Sequence, residues 1–131
     1  MKKRSNLIIG IIAFLAVAII LLFLIPTPNI IFPGQATAGQ MYDDKNIICQ
    51  LSDDDTQKCV EMFAGKWCCL DSPSCGFDDN VYIQIGINKF LPACDGCGIV
   101  KSGNKYFTLT EAERKTLDSI LIKYGIKFPC V

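Results

Sequence analysis

Hydrophobic and polar positions divide the chain into two unlike parts. The stretch Leu7–Ile25 reads LIIGIIAFLAVAIILLFLI, without a charged or strongly polar side chain, whereas the remainder mixes polar and apolar positions. A helix that is apolar all round lacks the polar stripe of a soluble surface helix, and at its length of about 28 Å it nearly matches the hydrocarbon core of a bilayer. The pattern predicts a transmembrane helix at Leu7–Ile25, with the lipid bilayer as its partner.

The flanks of the apolar run set the predicted topology. A Lys-Lys-Arg tripeptide at residues 2–4 precedes the run. Positive flanks stay cytoplasmic, so the rest of the chain is expected outside. The prediction is a single-pass membrane protein with an uncleaved signal anchor and an extracellular C-terminal part. Small residues at Ala36 and Ala38 are typical of a signal-peptidase site, and cleavage near Ala38 would give a secreted protein instead.

Capping signals predict two helices after the apolar run. Ser52 is followed by three aspartates, which complement the helix dipole, and Gly65 supplies a stop. Thr110 and Glu113 have the spacing of a capping box, and this second helix is expected to end at Gly125.

Period-two patterns predict a small antiparallel sheet. Val81–Ile87 alternates aliphatic and other residues, so its aliphatic face is expected in the core. Ile99–Phe107 has the pattern of a hairpin with a three-residue turn at 102–104, and Ile126–Cys130 alternates as a short terminal strand. The predicted fold class is α+β: one N-terminal transmembrane helix followed by a small disulfide-rich domain with two helices and a small antiparallel sheet.

Composition shifts along the chain predict four segments. Residues 1–6 are a basic cytoplasmic tail and residues 7–25 the signal anchor. Residues 26–42 are interrupted by Pro and Gly and lack a helical or strand period, which indicates a stalk or linker. Residues 43–131 form the cysteine-rich extracytoplasmic domain.

The cysteines are the clearest chemical feature. All eight lie beyond the apolar run, at a density typical of a disulfide scaffold. An exported domain this small gains stability from cross-links, and up to four bridges are expected. The structural disulfide candidates are Cys49, Cys59, Cys68, Cys69, Cys75, Cys94, Cys97 and Cys130.

Local pattern adds detail to the cysteine prediction. Cys59 shares a helix face with Met62 and Phe63 and is expected to point into the core. Trp67 is likewise interpreted as a core anchor. Adjacent side chains in an extended segment diverge, so neighbouring cysteines at 68 and 69 are expected to have different partners. Cys94 and Cys97 are expected to pair across their Asp-Gly turn.

The missing residue types exclude several functions. The chain contains no histidine, which removes mixed cysteine–histidine zinc sites and nucleophilic triads. No glycine-rich phosphate loop is present. No metal site and no cofactor are therefore predicted. After the basic tripeptide, ten basic residues face thirteen acidic ones, so nucleic acid is not expected as a partner.

The first functional hypothesis is a non-enzymatic, membrane-tethered binding or assembly module outside the cell, held by disulfides and contacting an unidentified protein partner. It depends on the anchor, the stalk and the cysteine-rich domain, together with the shortage of catalytic residue sets. A bridged scaffold holds its loops rigidly, and rigid loops lose less entropy on binding.

Two alternatives remain open. The order of an aliphatic strand, Cys94-Asp95-Gly96-Cys97, a later helix and Pro129 resembles a thioredoxin-like arrangement. The resemblance implies a thiol-disulfide oxidoreductase in which Cys94 attacks, Cys97 resolves and Pro129 faces the substrate. In that family the CxxC opens a helix, whereas here a hairpin pattern follows. The second alternative is a pilin-like filament subunit, whose apolar helix packs against its own copies.

Overall fold

The computed structural model describes residues 2–24, 26–42 and 45–128. Within these ranges the chain forms three helices and eight strands in two antiparallel sheets. The helices are α1 (Lys2–Leu24), α2 (Asp53–Phe63) and α3 (Glu111–Lys123). The strands are β1 (Thr27–Pro28), β2 (Ala36–Tyr42), β3 (Lys45–Gln50), β4 (Trp67–Cys68), β5 (Val81–Ile85), β6 (Asn88–Pro92), β7 (Ile99–Ser102) and β8 (Lys105–Thr108). The predicted fold class, with one small sheet and a transmembrane helix, is therefore wrong.

The predicted transmembrane helix needs a correction. Over the residues that the structure describes, no helix combines the length and the hydropathy needed to cross a bilayer. This finding contradicts the transmembrane helix at Leu7–Ile25 and the single-pass membrane localisation, including the extracellular placement that depended on them.

The larger sheet has six strands in the order β3-β2-β5-β6-β7-β8, and every neighbouring pair is antiparallel. Strands β5 to β8 follow one another along the chain as consecutive hairpins. The β2–β3 pair comes earlier in the sequence and joins this meander through β2 and β5. The second sheet consists of β1 and β4 alone. We call residues 26–42 and 45–128 the head.

The predicted stalk at 26–42 is wrong over its last seven residues. These residues form β2, which lies between β3 and β5 inside the large sheet. Ala36 and Ala38 are fully buried, and the Tyr82 ring lies so close to Gly39 that an added Cβ would sit 2.3 Å from it. Cleavage near Ala38 would divide a buried strand. Gly39 has no room for a side chain because this ring covers it, whereas Ala36 and Ala38 face the core on the other side of the sheet.

The predicted strand at Val81–Ile87 is confirmed except for its end. β5 stops at Ile85, and Gly86 turns the chain with a φ of 57°, a conformation that glycine adopts without steric cost. Ile87 therefore lies in the turn and is 81% exposed instead of buried. The hairpin of β7 and β8 is also confirmed, but Ser102 pairs with Lys105, which leaves a two-residue turn.

Both capped helices are confirmed. The Ser52 hydroxyl accepts a hydrogen bond from the Asp55 amide at 3.3 Å. At α3 the capping box is complete, because the Thr110 hydroxyl accepts from the Glu113 amide and the Glu113 carboxylate accepts from the Thr110 amide. The prediction of a terminal strand at Ile126–Cys130 is wrong over residues 126–128, which have no strand geometry. Cys130 lies outside the described residues.

The core lies where α2 and α3 cover the large sheet. Phe63 on α2 is fully buried, with its ring centroid 4.8 Å from that of Phe90 on β6 and 5.6 Å from that of Phe107 on β8. Cys59 is fully buried on the same helix face, as predicted. Trp67 is 66% exposed, so its interpretation as a core anchor is wrong. The two-residue strand β4 turns the indole outward and the neighbouring Cys68 inward.

A buried carboxylate joins the two helices. Asp55 in the first turn of α2 is buried, and its carboxylate accepts hydrogen bonds from Lys123 at 2.6 Å, Tyr124 at 2.8 Å and Ser52 at 2.9 Å. The bonds from Lys123 and then Tyr124 lower the pKa of the Asp55 carboxyl to about 2. The Tyr124 hydroxyl also accepts from the Ser52 amide. The start of α2 is thereby fixed to the end of α3.

Candidate functional site

One disulfide bond joins two loops at one end of the head. Cys75 and Cys97 are bridged, with their Cα atoms 6.6 Å apart. The prediction of a disulfide bond is confirmed for this pair. Cys130 and Pro129 lie outside the described residues. The cysteines that form no bridge with another described cysteine are Cys49, Cys59, Cys68, Cys69 and Cys94.

The predicted pairing of Cys94 with Cys97 is wrong. Cys94 follows β6, and its sulfur packs against Gly76, where an added Cβ would lie 3.2 Å from it. Its amide donates to the Gly76 carbonyl at 2.9 Å. Cys97 lies beyond the Asp-Gly turn and faces Cys75 on the other loop. The CxxC segment therefore connects two strands, β6 and β7, and contains half of a bridge to a distant loop. No bridge closes within the motif, and a strand and not a helix follows it, which is the departure from the thioredoxin-like arrangement that the sequence indicated.

Backbone hydrogen bonds hold the two loops independently of the bridge. The Cys94 amide bonds across to Gly76, and Phe77 forms a β-bridge with Ala93. The Gly98 carbonyl accepts from the Leu109 amide at 2.6 Å. From α3, the Arg114 guanidinium donates to the Cys97 carbonyl at 2.6 Å. The position of the two sulfurs is thus set by the surrounding structure as well as by their own bond.

Asp95 places a carboxylate beside the bridge. One oxygen accepts from the Cys97 amide at 3.2 Å and the other from the Gly76 amide at 3.4 Å, so that the carboxylate spans both loops. A carboxylate oxygen of Asp95 and the sulfurs of Cys75 and Cys97 all lie within 4.8 Å of one another. We call these three residues the cysteine–aspartate cluster. The two cysteines are partly buried and Asp95 is exposed, so solutes can reach the cluster.

Two of the unbridged thiols are unsuited to nucleophilic chemistry. Burial, with a smaller contribution from the Asp55 charge, raises the pKa of the Cys59 thiol to about 12. Burial also raises the pKa of the Cys68 thiol. The thiolate is the reactive form of cysteine, so both side chains act as small apolar groups of the core.

An apolar groove runs beside the same loops. It has a volume of about 530 Å³ and lies between α3, the residues that follow it and the turn at Gly96. Its apolar lining includes Leu121, Ile126 and Phe128. The Arg114 guanidinium borders the groove, but it stacks over the Phe128 ring at 5.2 Å and binds Asp118 at 2.9 Å. Its charge is already paired within the fold.

An extended apolar surface lies outside the head, on α1. In the described part of α1, residues 6–22 are exposed except for the half-buried Ala18. Twelve large apolar side chains along this helix are between 51% and 74% exposed. Three further exposed apolar residues, Ile30, Phe32 and Ile87, lie in two neighbouring segments of the head, where Asn88 donates to the Ile30 carbonyl and the Phe32 carbonyl approaches Gly86.

Comparison with known proteins adds no identification. No protein-family model, curated protein or solved structure matches this chain. Function must therefore be argued from the arrangement of its own residues.

Sequence reasoning missed the cysteine–aspartate cluster. It had singled out Cys75 and Cys97 but paired neither correctly, and it treated Asp95 as a turn residue. The one local signal was an acidic residue inside a CxxC turn. The decisive contact is with a loop about twenty residues earlier, at a sequence separation of 22, and no spacing rule supplies it. The role of Arg114, which is only 5% exposed, was also missed.

Proposed function

We propose that the chain is a non-enzymatic assembly module in which α1 packs against α1 helices of further copies and the head forms the outer part of the assembly. The observation that carries the proposal is the exposure of α1. A contiguous apolar surface of this extent is rare on monomeric proteins and marks a surface that becomes covered.

The distribution of apolar residues around α1 favours several partners over one. An amphipathic helix needs a single partner, because its other face is polar. Residues 7–22 carry no polar side chain, so a single neighbouring helix would leave much of the surface in water. Each fully buried Leu, Ile or Phe side chain contributes about 1.5–3 kcal/mol. A bundle that surrounds α1 therefore gains enough to offset the ordering cost of association.

Charge favours a staggered or antiparallel arrangement of the helices. The basic tripeptide at residues 2–4 would meet its own copies in a parallel bundle in register. The rest of the chain has three more acidic than basic residues. A stagger brings the basic end of one helix beside the acidic head of a neighbour. Attraction between these opposite charges then replaces the repulsion between the basic ends.

The head contributes a fixed attachment for the helix. In the segment after α1, Asn29 exchanges backbone hydrogen bonds with Lys66 and Gly65, and its side chain donates to the Phe63 carbonyl at 3.0 Å. Lys105 adds a bond to the Thr27 hydroxyl at 2.7 Å. These contacts tie the segment that follows α1 to the end of α2 and to β8, which supports a defined geometry of assembly.

The test compares the full chain with a charged double variant of α1. The full chain in detergent-free buffer is expected to sediment as a species larger than a dimer. Ile12→Glu with Ile19→Glu places two charges on exposed positions of α1 and should yield monomers. Ile122→Glu introduces the same substitution at an exposed position of α3 and should leave the assembly intact. Thermal unfolding of all three proteins checks that the head is unchanged.

Three outcomes would refute the proposal. The full chain could sediment as a monomer, the double variant could assemble as the full chain does, or the full chain could assemble only as part of floating phosphatidylcholine vesicles. The last outcome would mean that lipid, and not further copies, covers α1.

A further inference from the structure

We propose that the cysteine–aspartate cluster is a redox-gated site for a zinc-like divalent cation, open when the Cys75–Cys97 bridge is reduced and closed when it is formed. The proposal concerns the head alone and is independent of any assembly through α1. It rests on the position of Asp95 beside the bridge and on the backbone contacts that hold the two loops.

The ligand types suit zinc. Two cysteine thiolates and one carboxylate are among the ligands that Zn²⁺ takes in proteins, with a water completing four-fold coordination. The three candidate ligand atoms already lie within 4.8 Å of one another. Tetrahedral coordination at ordinary zinc–sulfur distances separates neighbouring ligand atoms by about 3–4 Å. A cation therefore requires only small movements of Asp95, together with separation of the two sulfurs.

The backbone leaves room for that separation. The Cα atoms of Cys75 and Cys97 are 6.6 Å apart, near the upper end of the range of about 4.4–6.8 Å for disulfides. The loops remain attached to each other after reduction, because Cys94 bonds to Gly76 and Phe77 pairs with Ala93. Reduction should free two thiols without dispersing them.

Charge favours a cation over a thiol-disulfide partner. Two thiolates beside the Asp95 carboxylate concentrate negative charge on the loop surface, and a divalent cation neutralises most of it. Arg114 donates to the Cys97 carbonyl and pairs with Asp118, so its charge is already paired within the fold.

A phosphine reductant with one water molecule accounts for all atoms and electrons in the reduction of the Cys75–Cys97 bridge. The phosphine and one water break the S–S bond, the phosphorus takes the oxygen of the water as phosphine oxide, and the two protons pass to the sulfurs. Zn²⁺ then displaces both thiol protons to the buffer as it binds. In the oxidised chain each sulfur is committed to the other, so that two of the three ligands are lost.

The experiment measures zinc and cobalt binding to the full chain before and after reduction with the phosphine. Five further cysteines are unbridged among the described residues in the oxidised form, so that form measures their background binding. The reduced chain is expected to bind one additional equivalent of Zn²⁺. Co²⁺ in its place should produce a thiolate-to-cobalt charge-transfer band that the oxidised chain lacks.

Matched variants locate the site. Asp95→Asn should weaken binding to the reduced chain at least about tenfold, whereas Asp71→Asn, at another exposed aspartate, should not. Cys75→Ser should abolish the additional equivalent, whereas Cys69→Ser, at an exposed unbridged cysteine, should retain it. Circular dichroism before zinc addition reports whether the reduced head stays folded.

Several results would overturn the proposal. Equal zinc uptake by the oxidised and reduced chains would show that the bridge does not gate binding. Equal affinity of the two aspartate variants would remove Asp95 from the site. Unfolding of the reduced chain before zinc is added would show that the loops depend on the bridge.

Discussion

Replacing Asp55 with asparagine tests the link between α2 and α3. The substitution keeps the shape of the side chain but removes its charge, and it leaves Lys123 facing a neutral amide. The pKa of the Asp55 carboxyl falls from 3.8 to about 2 on folding, and each unit corresponds to about 1.4 kcal/mol. Lys123 is more than half exposed, so solvent screens part of this gain. Asp55→Asn should therefore lower the free energy of unfolding by about 2 kcal/mol at pH 7, close to the value of hydrogen bonds to a charged group.

The stability difference between the unmodified chain and Asp55→Asn should also depend on pH in a defined direction. A carboxyl whose pKa is lowered in the folded state contributes stability that is fully present above the unfolded pKa and is lost as the pH falls through the folded pKa. The difference in stability between the unmodified chain and Asp55→Asn should thus be constant above about pH 4 and should shrink between about pH 4 and pH 2.

Urea denaturation at pH 7, 4, 3 and 2 measures both effects, and at neutral pH the variant's Tm should fall by about 10 °C. Asp54→Asn is the matched control. It lies next to Asp55 in the same helical turn, but its side chain is 77% exposed and pairs only with the exposed Lys58 at 2.5 Å. Its cost should stay below about 1 kcal/mol. Equal losses for both variants, or a loss from Asp55→Asn that does not change with pH, would refute the reasoning.

Two further substitutions test the packing of the head. Phe63→Ala removes a fully buried ring that contacts two others, and it should lower the free energy of unfolding by about 3–5 kcal/mol in thermal or urea unfolding. Trp67→Ala, at a mostly exposed position, should change this free energy by about 0.5 kcal/mol or less. Similar costs for the two variants would contradict the placement of the two side chains. Gly39→Ala puts a methyl group against the Tyr82 ring and should cost about 1–3 kcal/mol, and an unchanged Tm would mean that this ring does not cover β2.

Local signals predicted the helices of the head, and long-range contacts explain what the sequence concealed. The caps at Ser52 and Thr110 depend on residues within one turn, so their spacing is visible in the sequence. β2 was interpreted as part of a stalk because its Ala and Gly positions show no hydrophobic alternation. Its buried alanines lie beside Ile83 and Ile85 in the core, and Gly39 lies against the Tyr82 ring, so these partners all come from β5, about forty residues later. Propensity within β2 carries no information about that partner.

The candidate sites were predictable to different degrees. The apolar composition of α1 is visible in the sequence, but the sequence does not show which molecule binds to this surface. The cysteine–aspartate cluster depends on which loops the sheet brings together, and eight cysteines allow 105 pairings that sequence alone cannot reduce. Trp67 shows the same limit on the scale of one residue. The indole points outward because β4 pairs with β1, and each of these strands has only two residues.

The position of β2 has a mechanical consequence for any assembly held through α1. Tension on the helix first loads the short β1–β4 pairing and the hydrogen bonds of Asn29, and beyond them it reaches the large sheet at Ala36, in a strand with hydrogen-bonded neighbours on both sides. A force on β2 acts at once on its hydrogen bonds to β3 and to β5. If the chain entered the sheet through the edge strand β3, the force would act on one row of hydrogen bonds, which could break one after another. Behind the first contacts at residues 27–29, the chain thus enters the large sheet at a strand suited to resisting force.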